Sequence, residues 1–220
     1  MESEIRQSTP ERLVYWYLRL NGFLTIENFL IHPEWGPKIR TDADILAVRF
    51  SQRSERLQMP MVDDPTVTNC STLCNIIIGE VKTGYCALNG PWTKPEKMNM
   101  HRVLKAIGCF SEDDIDDAAV SLYSTAQFSK GSVTCRLFAF GDRVGLINIS
   151  GVQQVLFNNM IRFVYLRLKK YANQKSEVKN WAYDGRELKR LSKSCRTLEN
   201  FSKEVRSMYN LRELECHHGE

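Results

Sequence analysis

The chain has 220 residues, 43% hydrophobic, 25% charged and 10% aromatic, a composition that excludes a disordered tail, a collagen-like chain and a coiled-coil rod. This length is a prior for one domain with an appended piece, or for two very small domains. The net charge is +4 and unevenly spread: residues 1–149 hold 16 Lys/Arg against 18 Asp/Glu, and residues 150–220 hold 14 against 8. No apolar run approaches the roughly 18 residues of a membrane span. The start, Met1-Glu2-Ser3-Glu4-Ile5-Arg6, lacks the basic cap and apolar core of a signal peptide. A cytoplasmic location with no membrane partner is therefore expected. Seven cysteines, an odd number, read as reduced thiols. Cys70 and Cys74 form one close pair, but Cys216 and His217-His218 do not supply the second pair that a zinc site needs.

In chain order, Thr9 and Pro10 predict a helix start, and Leu13, Trp16, Tyr17 and Leu20 give its apolar stripe, so a helix is expected over 10–21. Residues 23–31 and 42–50 read as strands, with a turn at Pro33, Gly36 and Pro37. Residues 51–74, polar and carrying Pro60 and Pro65, read as a long loop or insertion. Residues 75–82 (NIIIGEVK) form a strand apolar enough for the inside of a sheet. Thr93 and Glu96 have capping-box spacing ahead of a helix over 95–108. Ser111 precedes a short helix with an acidic first turn. Two strands, 133–140 and 145–149, lead to an amphipathic helix over 152–171. A polar joint near 173–180 precedes a helical region over 185–214. The order predicts an α/β protein with a mixed sheet flanked by helices.

The chemical signal sits in two strands. Asp42 and Asp44 are two apart and share a face, as do Glu80 and Lys82. Glu80 ends an apolar strand, where a charge is costly unless it is paired or metal-bound. Neighbouring strands would bring Asp44 and Glu80 within reach of one divalent cation, with Lys82 beside it. Hard carboxylate oxygens suit Mg²⁺, with Mn²⁺ as its substitute. Such an ion acidifies a bound water and neutralises charge on a phosphate, and a lysine beside that water can orient it.

Asp44-Ile45-Leu46-Ala47 and Gly79-Glu80-Val81-Lys82, after the Glu11-Arg12-Leu13 to Gly22-Phe23 segment, resemble the PD-(D/E)XK nuclease superfamily, whose core runs α-β-β-β-α-β. The resemblance covers roughly residues 10–140. It implies a restriction-endonuclease-like fold, Asp44 and Glu80 as metal ligands, Lys82 as the catalytic lysine and Glu11 as an assisting glutamate. Ala43 stands where many members have proline, and 51–74 must be an insertion. The implied activity is Mg²⁺-dependent hydrolysis of DNA, by an endonuclease of defence, restriction or repair. The alternative is a nuclease-like module that has lost catalysis and binds nucleic acid or a protein partner.

The expected organisation is a nuclease core over 1–172 and a basic helical extension over 173–220. Lys94 and Arg102, near the helix after the Glu-x-Lys strand, are candidate phosphate contacts. So are Lys189, Arg190 and Lys193 in the extension, where basic clusters bind phosphates without reading sequence. The apolar stripes after residue 150 suggest packing on the core or a homodimer seam, and cutting both strands of a duplex favours two sites on a two-fold axis.

Overall fold

The computed structural model describes residues 8–32, 41–53, 60–174 and 179–212. The predicted turn at Pro33, Gly36 and Pro37 and the Cys216-His217-His218 group lie outside them. Helix α1 (Pro10–Leu20) starts with Pro10 in its first turn and buries Leu13, Trp16, Tyr17 and Leu20. Thr9 holds the N-cap position without a side-chain hydrogen bond; its carbonyl accepts from Arg12 N.

Strands β1 (Leu24–Ile31), β2 (Thr41–Phe50) and β3 (Cys74–Val81) form an antiparallel meander. Strand β5 (Val133–Gly141) lies parallel to β3. Along its other edge run β4 (Gln127–Lys130), antiparallel, and β6 (Gln153–Leu156), parallel. The mixed sheet expected from the sequence is thus present, with six strands in the order β1-β2-β3-β5-β4 and β6 paired to β5.

Helices cover both faces. Helix α1 joins α6 (Phe157–Lys170), α7 (Tyr183–Ser194) and α8 (Leu198–Met208) over Ile45, Ile77, Phe138 and Phe140. On the other face α3 (Gly90–Thr93), α4 (Asn99–Ile107) and α5 (Ile115–Thr125) pack over Leu46, Ile76, Ile78 and Leu137. Strand β3 is central and buried on both sides, which is why it reads as an unbroken apolar run. Each of Ile76, Ile77 and Ile78 contributes about 1.5–3 kcal/mol by burial.

Several local expectations change. Residues 60–73 are not a loose insertion: α2 (Pro65–Thr68) buries Val67 completely. Tyr17 Oη donates to Asp64 at 2.8 Å, and Arg136 Nη2 donates to Val67 O at 2.7 Å. No capping box forms at Thr93, whose hydroxyl donates back to Gly90 O. Instead α4 starts at Asn99, after Met98 turns left-handed at φ 55°. Residues 145–149 are not a strand; Gly145 there is pressed against Cys86 O, 1.9 Å from where a Cβ would stand. The helix expected over 152–171 is split, with Gln153–Leu156 recruited as β6.

The region expected as one helix over 185–214 is two, broken at Cys195–Thr197. Both pack into the same core as α1 and α6: Leu188, Leu191, Phe201 and Val205 are buried there. Gly185 permits this closeness, since a Cβ would come within 2.0 Å of the Trp16 ring. The apolar stripes that suggested a dimer seam are therefore used within the chain.

Candidate active site

The β2–β3 ladder ends at Ile45 and Gly79, so Asp44 and Glu80 face each other one step beyond it. Past that point an amide of β3 still points at β2, and the Asp44 side chain takes it: Val81 N donates to Asp44 Oδ2 at 2.8 Å. On the far side of β2, Asn28 stands opposite Asp44 with φ 50°. The packing changes layers at this step. Ile45 belongs to the α1 face, whereas Ala43, Phe29 and Ile31 belong to the α4–α5 face.

Glu80 follows Ile76 and Ile78 onto the α3–α4 face, and its side chain is only 1% exposed. A carboxylate there needs donors, and three side chains provide them. Lys82 Nζ and Asn89 Nδ2 donate to Oε1, and Trp92 Nε1 donates to Oε2 at 2.8 Å. Burial pushes the Glu80 carboxyl up to about 7, the Asp44 charge adds to the rise, and the Lys82 and Trp92 hydrogen bonds oppose it. Asp44 is also raised, first by burial and then by the charges of Glu11 and Asp42, against the pull of Val81 N and Lys82.

The structure thus gathers Asp44, Glu80 and Lys82. Glu11, in the first turn of α1, lies within electrostatic reach of Asp44 but shares no hydrogen bond with the group among the described residues. Its neighbour Arg12 is bound to Asp184 at 2.7 and 2.9 Å and to Glu27 at 2.8 Å.

Among the described residues no three His, Cys, Asp or Glu side chains converge as a metal cluster. Mg²⁺ needs fewer: one or two carboxylates suffice, because it keeps several waters. Asp44 and Glu80 supply hard carboxylate oxygens at adjoining positions of β2 and β3, the donor chemistry that such an ion takes.

The candidate phosphate contacts divide. Lys94 is exposed at the end of α3, two residues after Trp92. Arg102 is half-buried on α4 and donates to Lys97 O at 2.8 Å. Arg190 is exposed but paired with Glu187, and Lys193 is exposed. Lys189 corrects the sequence reading: it is 3% exposed, with Nζ donating to Ala172 O at 3.0 Å, so it faces the interior and not a phosphate. Helices α3–α4 and α7 lie on opposite faces of the sheet, so these cations do not form one patch. A cleft of about 460 Å³ between α7 and α8, lined by Arg190, Ser194, Asn200, Lys203 and Glu204 among others, shares no residue with the carboxylates.

Sequence reasoning missed Asn89 and Trp92. The sole local signal was Asn89-Gly90-Pro91-Trp92, a turn-forming run soon after the Glu-x-Lys strand. No protein-family model matches the chain, and no curated protein or solved structure is similar to it.

Proposed function

We propose that the chain is a metal-dependent nuclease that hydrolyses phosphodiester bonds in DNA, acting as an endonuclease in the cytoplasm. The observation that carries this reading is the placement of Asp44 and Glu80 side by side beyond the end of the β2–β3 ladder, with Lys82 Nζ on Glu80. With the short α2 and α3, and with α5 and β4, set aside, the order α1-β1-β2-β3-α4-β5 supports the likeness to the nuclease core that the sequence resembles. Asp44 and Glu80 would hold Mg²⁺ or Mn²⁺, and the bound ion supplies an acidified water and charge neutralisation at the phosphate. Lys82, with its side chain 31% exposed, reaches from Glu80 toward solvent, where its ammonium can orient a water or a phosphate oxygen. Glu11 adds negative potential beside Asp44. Lys94 and Lys193 are exposed cations for sequence-blind phosphate contact. A homodimer would bring two such sites to the two strands of a duplex.

Supercoiled plasmid incubated with Mg²⁺ or Mn²⁺ tests the reading. Nicking or linearisation is expected from the wild type and not from Asp44→Ala, Glu80→Ala or Lys82→Ala. Absence of cleavage of duplex, branched and single-stranded DNA with either ion refutes it. A second reading, a nuclease-like binding module without catalysis, is favoured by one observation: both Glu80 oxygens already accept hydrogen bonds from the protein.

A further inference from the structure

The donors that hold Glu80 are of two kinds. Trp92 is 1% exposed and packs in the same apolar cluster as Met100, Val103 and Leu104. Its ring is fixed by that packing, so its N–H meets Oε2 from the buried side. Asn89 is exposed on the loop before α3 and shares Oε1 with Lys82. A carboxylate oxygen has about two acceptor positions. Both are taken at Oε1, by the half-exposed Lys82 and the exposed Asn89, and one is taken at Oε2, by the buried Trp92.

We propose that Trp92 is a positioning residue that locks Glu80 through Oε2, and that Asn89 holds on Oε1 the place a divalent cation takes. This rests on the metal-dependent reading above. The indole bond fixes the rotation of the carboxylate from the buried side and leaves Oε1 to the donors that come from less buried side chains, Lys82 and Asn89. A cation reaching Oε1 displaces Asn89, whose exposed amide is then hydrated at small cost, while the Trp92 bond persists. The two residues therefore act on cation affinity with opposite signs. Trp92 pre-orients the ligand, and Asn89 competes for it. Donors that orient a ligating carboxylate commonly change metal affinity by about 10- to 100-fold.

The test is Mn²⁺ binding to the full chain by electron paramagnetic resonance, without DNA. Trp92→Phe, which keeps a buried ring and loses the N–H, should weaken Mn²⁺ about tenfold or more. Asn89→Ala should tighten it a few-fold. Because Trp92→Phe alters a buried site, the wild type provides a second measurement, an amide and indole NMR titration with Mg²⁺. The Trp92 indole proton should stay protected and shift at saturation, while the Asn89 side-chain amide moves to a solvent-exposed position. Wild-type affinity in a folded Trp92→Phe, an unmoved indole resonance, or an Asn89→Ala that binds no more tightly than the wild type overturns this inference while Glu80-dependent binding still upholds the reading beneath it. A wild type that binds neither ion overturns both.

Discussion

Burying Glu80 makes the stability of the fold depend on pH in a direction opposite to that of an ordinary salt-bridged carboxylate. Between its ordinary value of 4.5 and its folded value of about 7, the folded protein keeps a proton that the unfolded chain has released. Stability is then greatest below 4.5 and falls as the pH rises toward 7, because the unfolded state binds fewer protons there. The interval corresponds to about 3 kcal/mol at ~1.4 kcal/mol per tenfold change in the proton equilibrium. Glu80→Gln removes the titration and leaves a side chain of nearly the same shape. Urea denaturation of both proteins at pH 4, 5.5, 7 and 8.5 should show the variant gaining on the wild type by about 3 kcal/mol across the series, most of it by pH 7 and levelling off about one unit above the folded value. In thermal melts this is roughly 6–12 °C for a chain of this size. Groups that titrate alike in the two proteins cancel in the difference. The Asp44 contribution does not, and it has the same sign, since losing the Glu80 charge lets Asp44 ionise more easily. Added Mg²⁺ should restore wild-type stability at pH 8.5 and do nothing for Glu80→Gln. Parallel curves, with a difference independent of pH to within about 1 kcal/mol, would refute the reasoning.

Asp44→Asn should reduce plasmid cleavage by at least about a hundredfold with an unchanged circular dichroism spectrum, measured by gel assay at saturating Mg²⁺. Lys189→Glu should destabilise the protein by about 3 kcal/mol or more, since it buries an unmatched charge where an ammonium now meets Ala172 O. Lys193→Glu, on the exposed side of the same helix, should leave the melting temperature within a degree or two but lower the salt dependence of DNA binding by about one counterion. Gly185→Ala, whose Cβ would fall 2.0 Å from the Trp16 ring, should cost about 1–3 kcal/mol in urea unfolding through overpacking.

The parts of the fold governed by local pattern were legible in the sequence, and those governed by distant partners were not. Pro10 and the Leu13–Leu20 stripe specified α1, and the Ile76–Ile78 run specified β3, because each sequence period matches the surface that the element buries. Val152, Val155, Leu156 and Met160 also fit a helical period, yet Gln153–Leu156 pairs with Phe138–Gly141. That partner is not visible in a local window. Lys189 sits among Arg186, Arg190 and Lys193, so its charge suggested a wet face. A neighbouring carbonyl at Ala172 instead draws its ammonium inward. The same distinction holds in the site. Glu80 and Lys82 were readable because strand parity places them on one face, and Asp44 because an acidic strand precedes theirs, whereas the Asn89 and Trp92 donors depend on how the loop after β3 folds back.

Arg12 ties the two ends of the chain together, holding Asp184 across 172 residues of sequence. A ribosome delivers these ends at very different times. When Asp44 and Glu80 have emerged and β3 can pair, α1 still lacks α7, and Trp16 lacks the cover of Gly185. The β1-β2-β3 meander can therefore pair early, while the helix carrying Glu11 finds Asp184 and Gly185 only after the C-terminal helices arrive. Contacts closed over such sequence separations form slowly, so the helix that carries Glu11 gains its full set of partners only late in synthesis.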